Sequence, residues 1–215
     1  MTRTPPHRSI PKHALVAAQQ RAADAQDAYS LMIRTHHWSE FRQHWRNFLE
    51  AADDVFEKLE KGSKLHPTAR QEWKKEENAR KADPLMQWLM QARNVEKHGL
   101  QTSIVFIPGS IQLRVHPTKP QTITSSTVFE EGLGGGLRTK TFHDISGIDH
   151  ETAEVVVARG AMIAVTNRSI LYDVPKSHLG VTLESDDPKP AAELALKYLD
   201  ALLRRIQSHD LGRPA

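Results

Sequence analysis

The chain has 215 residues, 39% of them hydrophobic and 26% charged, with a formal net charge of +3. That balance suits a folding, water-soluble protein of one large domain or two small ones, and no apolar run nears the roughly 18–20 residues that cross a bilayer. The chain has no cysteine, which excludes disulfides, iron–sulfur clusters and thiolate zinc sites and fits a cytoplasmic protein. The small positive excess permits an RNA or DNA partner without demanding one.

Residues 1–11, rich in Thr, Pro and Arg, read as a loose arm without the continuous apolar segment of a secretory signal. From Pro11 to about Arg34 the sequence is rich in Ala and Gln, and Leu15, Ala18, Ala22, Ala25 and Tyr29 recur at helical spacing. A second helix opens near Trp38 with the stripe Trp38, Phe41, Trp45, Phe48, Leu49, Ala52, Val55, Phe56 and Leu59, and stops at Gly62 and Pro67. The charged stretch PTARQEWKKEENARKA reads as a solvated helix or helical loop. Asp83-Pro84 restarts a helix, with Asp as N-cap and Pro at its first position; Leu85, Trp88, Leu89, Ala92 and Val95 face the core, and Gly99 ends it.

After residue 102 the apolar period changes from 3.6 to 2. TSIVFIPGSIQLRV reads as a strand, a Pro-Gly turn and a strand; QTITSSTVFEEG and EVVVARGAMIAVTNR continue the pattern, with ARGA and TNRS as turns. EGLGGGLRTKT and FHDISGIDHE read as loop-rich connections. A last helix starts at Asp187-Pro188, with Leu194, Ala195, Tyr198, Leu199, Leu202, Leu203 and Ile206 on one stripe. The expected fold is α+β: a mainly helical bundle over 12–100, a small antiparallel β region over 101–184 between the third or fourth helix and the C-terminal helix, and that helix in 185–215 docked on the bundle or covering the sheet.

The element that carries chemistry is QARNVEKHG, at the end of the fourth helix. Arg93, Asn94 and His98 there resemble the signature of the HEPN superfamily, an Arg followed by a polar residue and then a His after four to six residues. The resemblance covers about residues 12–100, with the last helix as a closing element. It implies a helical bundle that often dimerises and, in many members, cuts RNA without metal; other members only bind. An Arg with a His five residues on occurs four times, at Arg8/His13, Arg93/His98, Arg138/His143 and Arg204/His209. Only Arg93/His98 combines a buried helix, the Asn and a Gly stop.

The chemistry is coherent. RNA breaks when its 2′-oxygen attacks the adjacent phosphorus, which needs a group to move protons near neutral pH and a cation to meet the crowded phosphate. An imidazole, with an unperturbed pKa near 6.5, suits the first task, assigned to His98. A guanidinium fork suits the second, assigned to Arg93. Asn94, four residues before His98, shares its helical face and would orient the imidazole or the phosphate. Positions five apart lie roughly 140° apart around a helix, so Arg93 and His98 do not stack, and a composite site across a two-fold dimer resolves this. The function expected is therefore a HEPN-like, metal-independent endoribonuclease of toxin or defence type, acting on RNA as a homodimer with no cofactor, metal or membrane. The alternative is a non-catalytic binding or assembly module with an unknown protein partner, in which Arg93 and His98 are ordinary groups at a helix C-terminus.

The remaining motifs carry less. GLGGGLR lacks the Lys-Ser/Thr ending and following helix of a phosphate loop. His143, Asp144, Asp149, His150 and Glu151 match no metal-ligand spacing. His36, His37 and His44 read as surface or boundary residues, the aromatic stripe of 38–56 as core, and His178 as part of a turn.

Overall fold

The computed structural model describes residues 10–99, 101–113, 122–131, 137–146, 153–156 and 158–211. The chain forms two compact units, one of residues 1–107 and 160–215 and one of residues 108–159. The elements in order are α1 (Lys12–Arg34), α2 (Trp38–Ser63), α3 (Pro67–Ala82), α4 (Pro84–Lys97), β1 (Ile104–Ile107), β2 (Ser110–Leu113), β3 (Thr122–Glu131), β4 (Leu137–Ser146), β5 (Ala153–Val156), β6 (Arg159–Met162), β7 (Val165–Asn167), β8 (Ile170–Tyr172), β9 (Ser177–His178), β10 (Val181–Thr182) and α5 (Pro188–Leu211). The class is mainly helical α+β. Among the described residues no helix is long and apolar enough to cross a membrane.

In the first unit, α1 buries a stripe of small side chains, Ala14, Ala18, Ala25 and Ala28, beside Leu15 and Met32. Their size lets it lie closely along α2. The two helices approach tightly at Gly62, near the end of α2, where a Cβ would stand 2.6 Å from the Ala14 Cβ and 2.9 Å from Ile10 Cγ2. The large residues come from α2 and α4: Trp45, Phe48 and Trp88 are fully enclosed, with the Trp45 and Trp88 rings 6.3 Å apart. The charged α3 is a true helix that turns Ala69 and Trp73 inward, Trp73 against Phe56. Helix α5 adds Ala191, Ala192, Ala195, Leu199, Leu202 and Leu203 to the same core and packs on α1, α2 and α4.

Short strand pairs complete this unit. β1 pairs with β6, β7 with β8, and β9 with β10, and α4 packs against β7 and β9. Two-residue turns close the last two hairpins, with positive φ at Arg168 and Ser169 in one and at Leu179 and Gly180 in the other. Such turns match the twist of the strands they join. The Gln101 side chain does the work of a ladder amide, accepting from Thr166 N–H at 2.9 Å and donating to the Ala164 carbonyl at 2.9 Å.

The second unit is antiparallel. β2 pairs with β5, Ile111 opposite Val155, and β3 with β4 over ten residues, Thr127 opposite Thr141. Three local expectations change. Residues 137–146, read as loop, form strand β4: they include the strand formers Thr139, Thr141, Phe142 and Ile145 and pair with the Thr-rich β3, which outweighs the neighbouring glycines. ARGA is not a turn, because Arg159–Met162 is extended beside β1; Gly160 provides clearance, since a Cβ there would lie 3.1 Å from Phe41 Cε1. Pro108-Gly109 does not close a hairpin, because β1 and β2 take different partners and the chain passes there between units. The Gly run 132–136 and Asp149, His150 and Glu151 lie outside the described residues, whereas His143 and Asp144 fall on β4.

Candidate functional site

Helix α4 begins as its sequence dictates. The Asp83 carboxylate accepts the Met86 N–H at 2.9 Å and Pro84 opens the first turn. At the other end the His98 N–H bonds the Asn94 carbonyl at 3.2 Å, and Gly99, at φ 64°, ends the helix. A left-handed residue there costs glycine nothing.

The three candidate residues sit in different surroundings. Arg93 points toward α2, its side chain 14% exposed, with Nε 3.3 Å from Asp53 Oδ2. Among the described residues Nε has no hydrogen-bond partner; its contact with Asp53 satisfies distance but not direction and is an ion pair. Arg93 Nη1 donates to Asn94 Oδ1 at 3.3 Å. Arg80 shares Asp53 at 3.9 Å and lies over the Phe56 ring at 4.2 Å. Burial pushes the Asp53 carboxyl above its ordinary range, with Arg93 and then Arg80 opposing; desolvation exceeds the help of both cations. His98 is exposed to solvent, as is Lys97. Arg93 and Asn94 are therefore together, and His98 stands apart on the solvent side of the helix end.

Two polar networks lie outside the Arg-Asn…His pattern. Glu96, between Asn94 and His98 in sequence, is buried, with its side chain 3% exposed. Its Oε1 accepts from the Ser103 N–H at 2.7 Å and the Ser103 hydroxyl at 2.9 Å, its Oε2 accepts from Arg46 Nε at 2.8 Å, and Ser103 Oγ accepts the Trp45 indole N–H at 2.9 Å. The carboxylate thus ties α2, α4 and the chain entering β1. One signal pointed to it: Glu96 lies four residues after Ala92 and seven after Leu89, on the stripe that should be apolar.

The second network starts at Asp83. Besides capping α4, it accepts the Leu179 N–H at 2.6 Å and meets His178 Nδ1 at 3.0 Å, Asp83 and His178 both being buried. This holds the β9–β10 turn, where Leu179 sits at φ 49°, a conformation costing roughly 1–2 kcal/mol for a residue with a Cβ. The His178 ring meets the edge of Tyr198, whose hydroxyl donates to Glu76, which Arg205 also binds.

Burial raises the Asp83 carboxyl, but the Leu179 and Met86 amides and His178 together overcome it and leave the group below its ordinary value. A depressed folded pKa contributes stability above the unfolded value, lost as pH falls through the folded one. Asp83 should therefore steepen the acid loss of stability below about pH 4. Urea unfolding of wild type and Asp83→Asn should show a gap that narrows steadily between about pH 5 and pH 3. A constant gap over that range would remove Asp83 as its source.

No protein-family model, curated protein or solved structure matches the chain.

Proposed function

We propose that the chain is a HEPN-like protein that cuts RNA without metal, as a homodimer of toxin or defence type in the cytoplasm. The observation that carries this reading is the exposed His98 at the end of α4, one turn beyond a guanidinium and amide that hold each other. His98 moves the proton as the 2′-oxygen bonds to phosphorus and the 5′-oxygen leaves. Arg93, oriented through Asp53, offers its remaining donors to the phosphate, and Asn94 aligns it. Because positions five apart lie roughly 140° apart around a helix, each Arg93 works with the His98 of a second copy.

Purified protein incubated with a mixed RNA pool and a chelator should cut it, and His98→Ala should lower the rate at least about a hundredfold at matched folding. Equal cutting by both proteins, or none by either, would refute the proposal. One observation favours a second reading. Arg93 already has a carboxylate partner in Asp53, as it would in a non-catalytic binding or assembly module, and absent cutting would leave that module as the account.

A further inference from the structure

We propose that Arg46 is a second phosphate-binding residue at this helix end, held ready for single-stranded RNA by Glu96; this rests on the RNA-directed reading above. Arg46 lies on α2, on the edge that faces the end of α4, and its side chain is 39% exposed. It is engaged by one edge only: Nε donates to Glu96 Oε2 at 2.8 Å, while both terminal amines make no hydrogen bond to the described residues. The anchoring carboxylate cannot swing, because its other oxygen is held twice by Ser103, which Trp45 holds in turn.

The result is a guanidinium whose plane is set from behind while its outer donors meet solvent. That geometry suits a phosphate, which accepts two parallel N–H bonds, and pre-setting the fork lowers the ordering cost of binding. Arg93 is the more enclosed cation, 14% exposed and on a carboxylate shared with Arg80. Lys97 and His98 follow Glu96 directly and are exposed, and Arg42 stands one turn before Arg46 on the same stripe of α2. Arg46 is thus tied by Glu96 to the last turn of α4, the turn whose next two residues are the exposed Lys97 and His98. It would grip a phosphate of the strand flanking the bond to be cut.

The test is fluorescence-anisotropy titration of a labelled single-stranded RNA with full-length His98→Ala protein, in which cutting does not intrude, at several salt concentrations. Adding Arg46→Gln together with Glu96→Gln removes the cation without leaving a bare carboxylate. Affinity should fall about tenfold at low salt, and the slope of log affinity against log salt should flatten by about 0.7, one phosphate contact on a single strand. Glu96→Gln alone, which keeps the cation but loses the carboxylate that sets its plane, should bind less tightly than the parent and more tightly than the double variant, and Arg46→Lys should also fall between, keeping the charge but losing the fork. Thermal unfolding verifies that each variant is folded. Unchanged affinity and slope in the double variant would overturn the assignment of Arg46 while leaving the cleavage result at His98 standing. Absence of RNA binding by the parent protein would overturn it too, and the cleavage assay then reports separately on the RNA-directed reading.

Discussion

Replacing Trp45 with Ala should lower the free energy of unfolding by about 3–5 kcal/mol, the range for removing a large enclosed aromatic. Trp45 is wholly buried, stacked on Phe48 with ring centroids 5.6 Å apart and packed against Trp88. It is also the only donor among the described residues to Ser103 Oγ. Two losses therefore add: the ring leaves a cavity between α2 and α4, and the hydroxyl that supports Glu96 loses a partner. Trp45→Phe separates them. It keeps most of the ring and removes the N–H, and should cost about 1–3 kcal/mol, the penalty of an unmade buried hydrogen bond with a smaller packing defect. Urea unfolding should show a lower midpoint with unchanged slope. A loss below about 1 kcal/mol for Trp45→Ala would mean that this side chain is not the centre of the core.

Glu96→Ala should cost about 3 kcal/mol. It removes a charge-assisted acceptor of two Ser103 donors and one Arg46 donor, each such bond being worth roughly 1.5–3 kcal/mol in isolation and less in sum. Arg46 is exposed enough to be rehydrated, so the cost falls mainly on the buried Ser103 amide and hydroxyl. Glu96→Gln, which still accepts from Ser103, should lose less than half as much. Since Trp45 and Glu96 meet through Ser103, their effects should fall short of additivity, and a double-mutant cycle measures the shortfall. Full additivity would indicate two independent contacts rather than one network.

Much of the helical framework was legible because its signals are local. Asp83-Pro84 and Asp187-Pro188 announce helix starts in adjacent residues, and the 3.6-residue stripe from Phe41 to Leu59 identifies the face of α2 that is buried. Strand partners were not legible. Alternation marks β1 as a strand but does not say that it pairs with β6 rather than with β2 across Pro108-Gly109. The same limit applied at the site. Arg93, four residues after Leu89, was bound to lie near the core face, yet its partner Asp53 is forty residues back on another helix. Asp83 shows the boundary within one side chain: its bond to Met86 follows from local sequence, and its bond to Leu179 depends on how the hairpin docks. Glu96 was readable as an acid on an apolar stripe, but its reason, Ser103 and Arg46, exists only in the folded chain.

The most direct measurement of the central claim, a composite RNA-cutting site at the end of α4, is a mixing experiment. Arg93→Ala and His98→Ala proteins, each expected to be inactive alone, are unfolded, mixed in equal amounts and refolded, then assayed on RNA with chelator present. Half of the dimers are then mixed, and each mixed dimer has one intact pairing of Arg93 and His98 out of two, so cutting should return to about a quarter of the wild-type rate. A mixture as inactive as its components, from a wild type that recovers activity after the same treatment, would contradict the composite site.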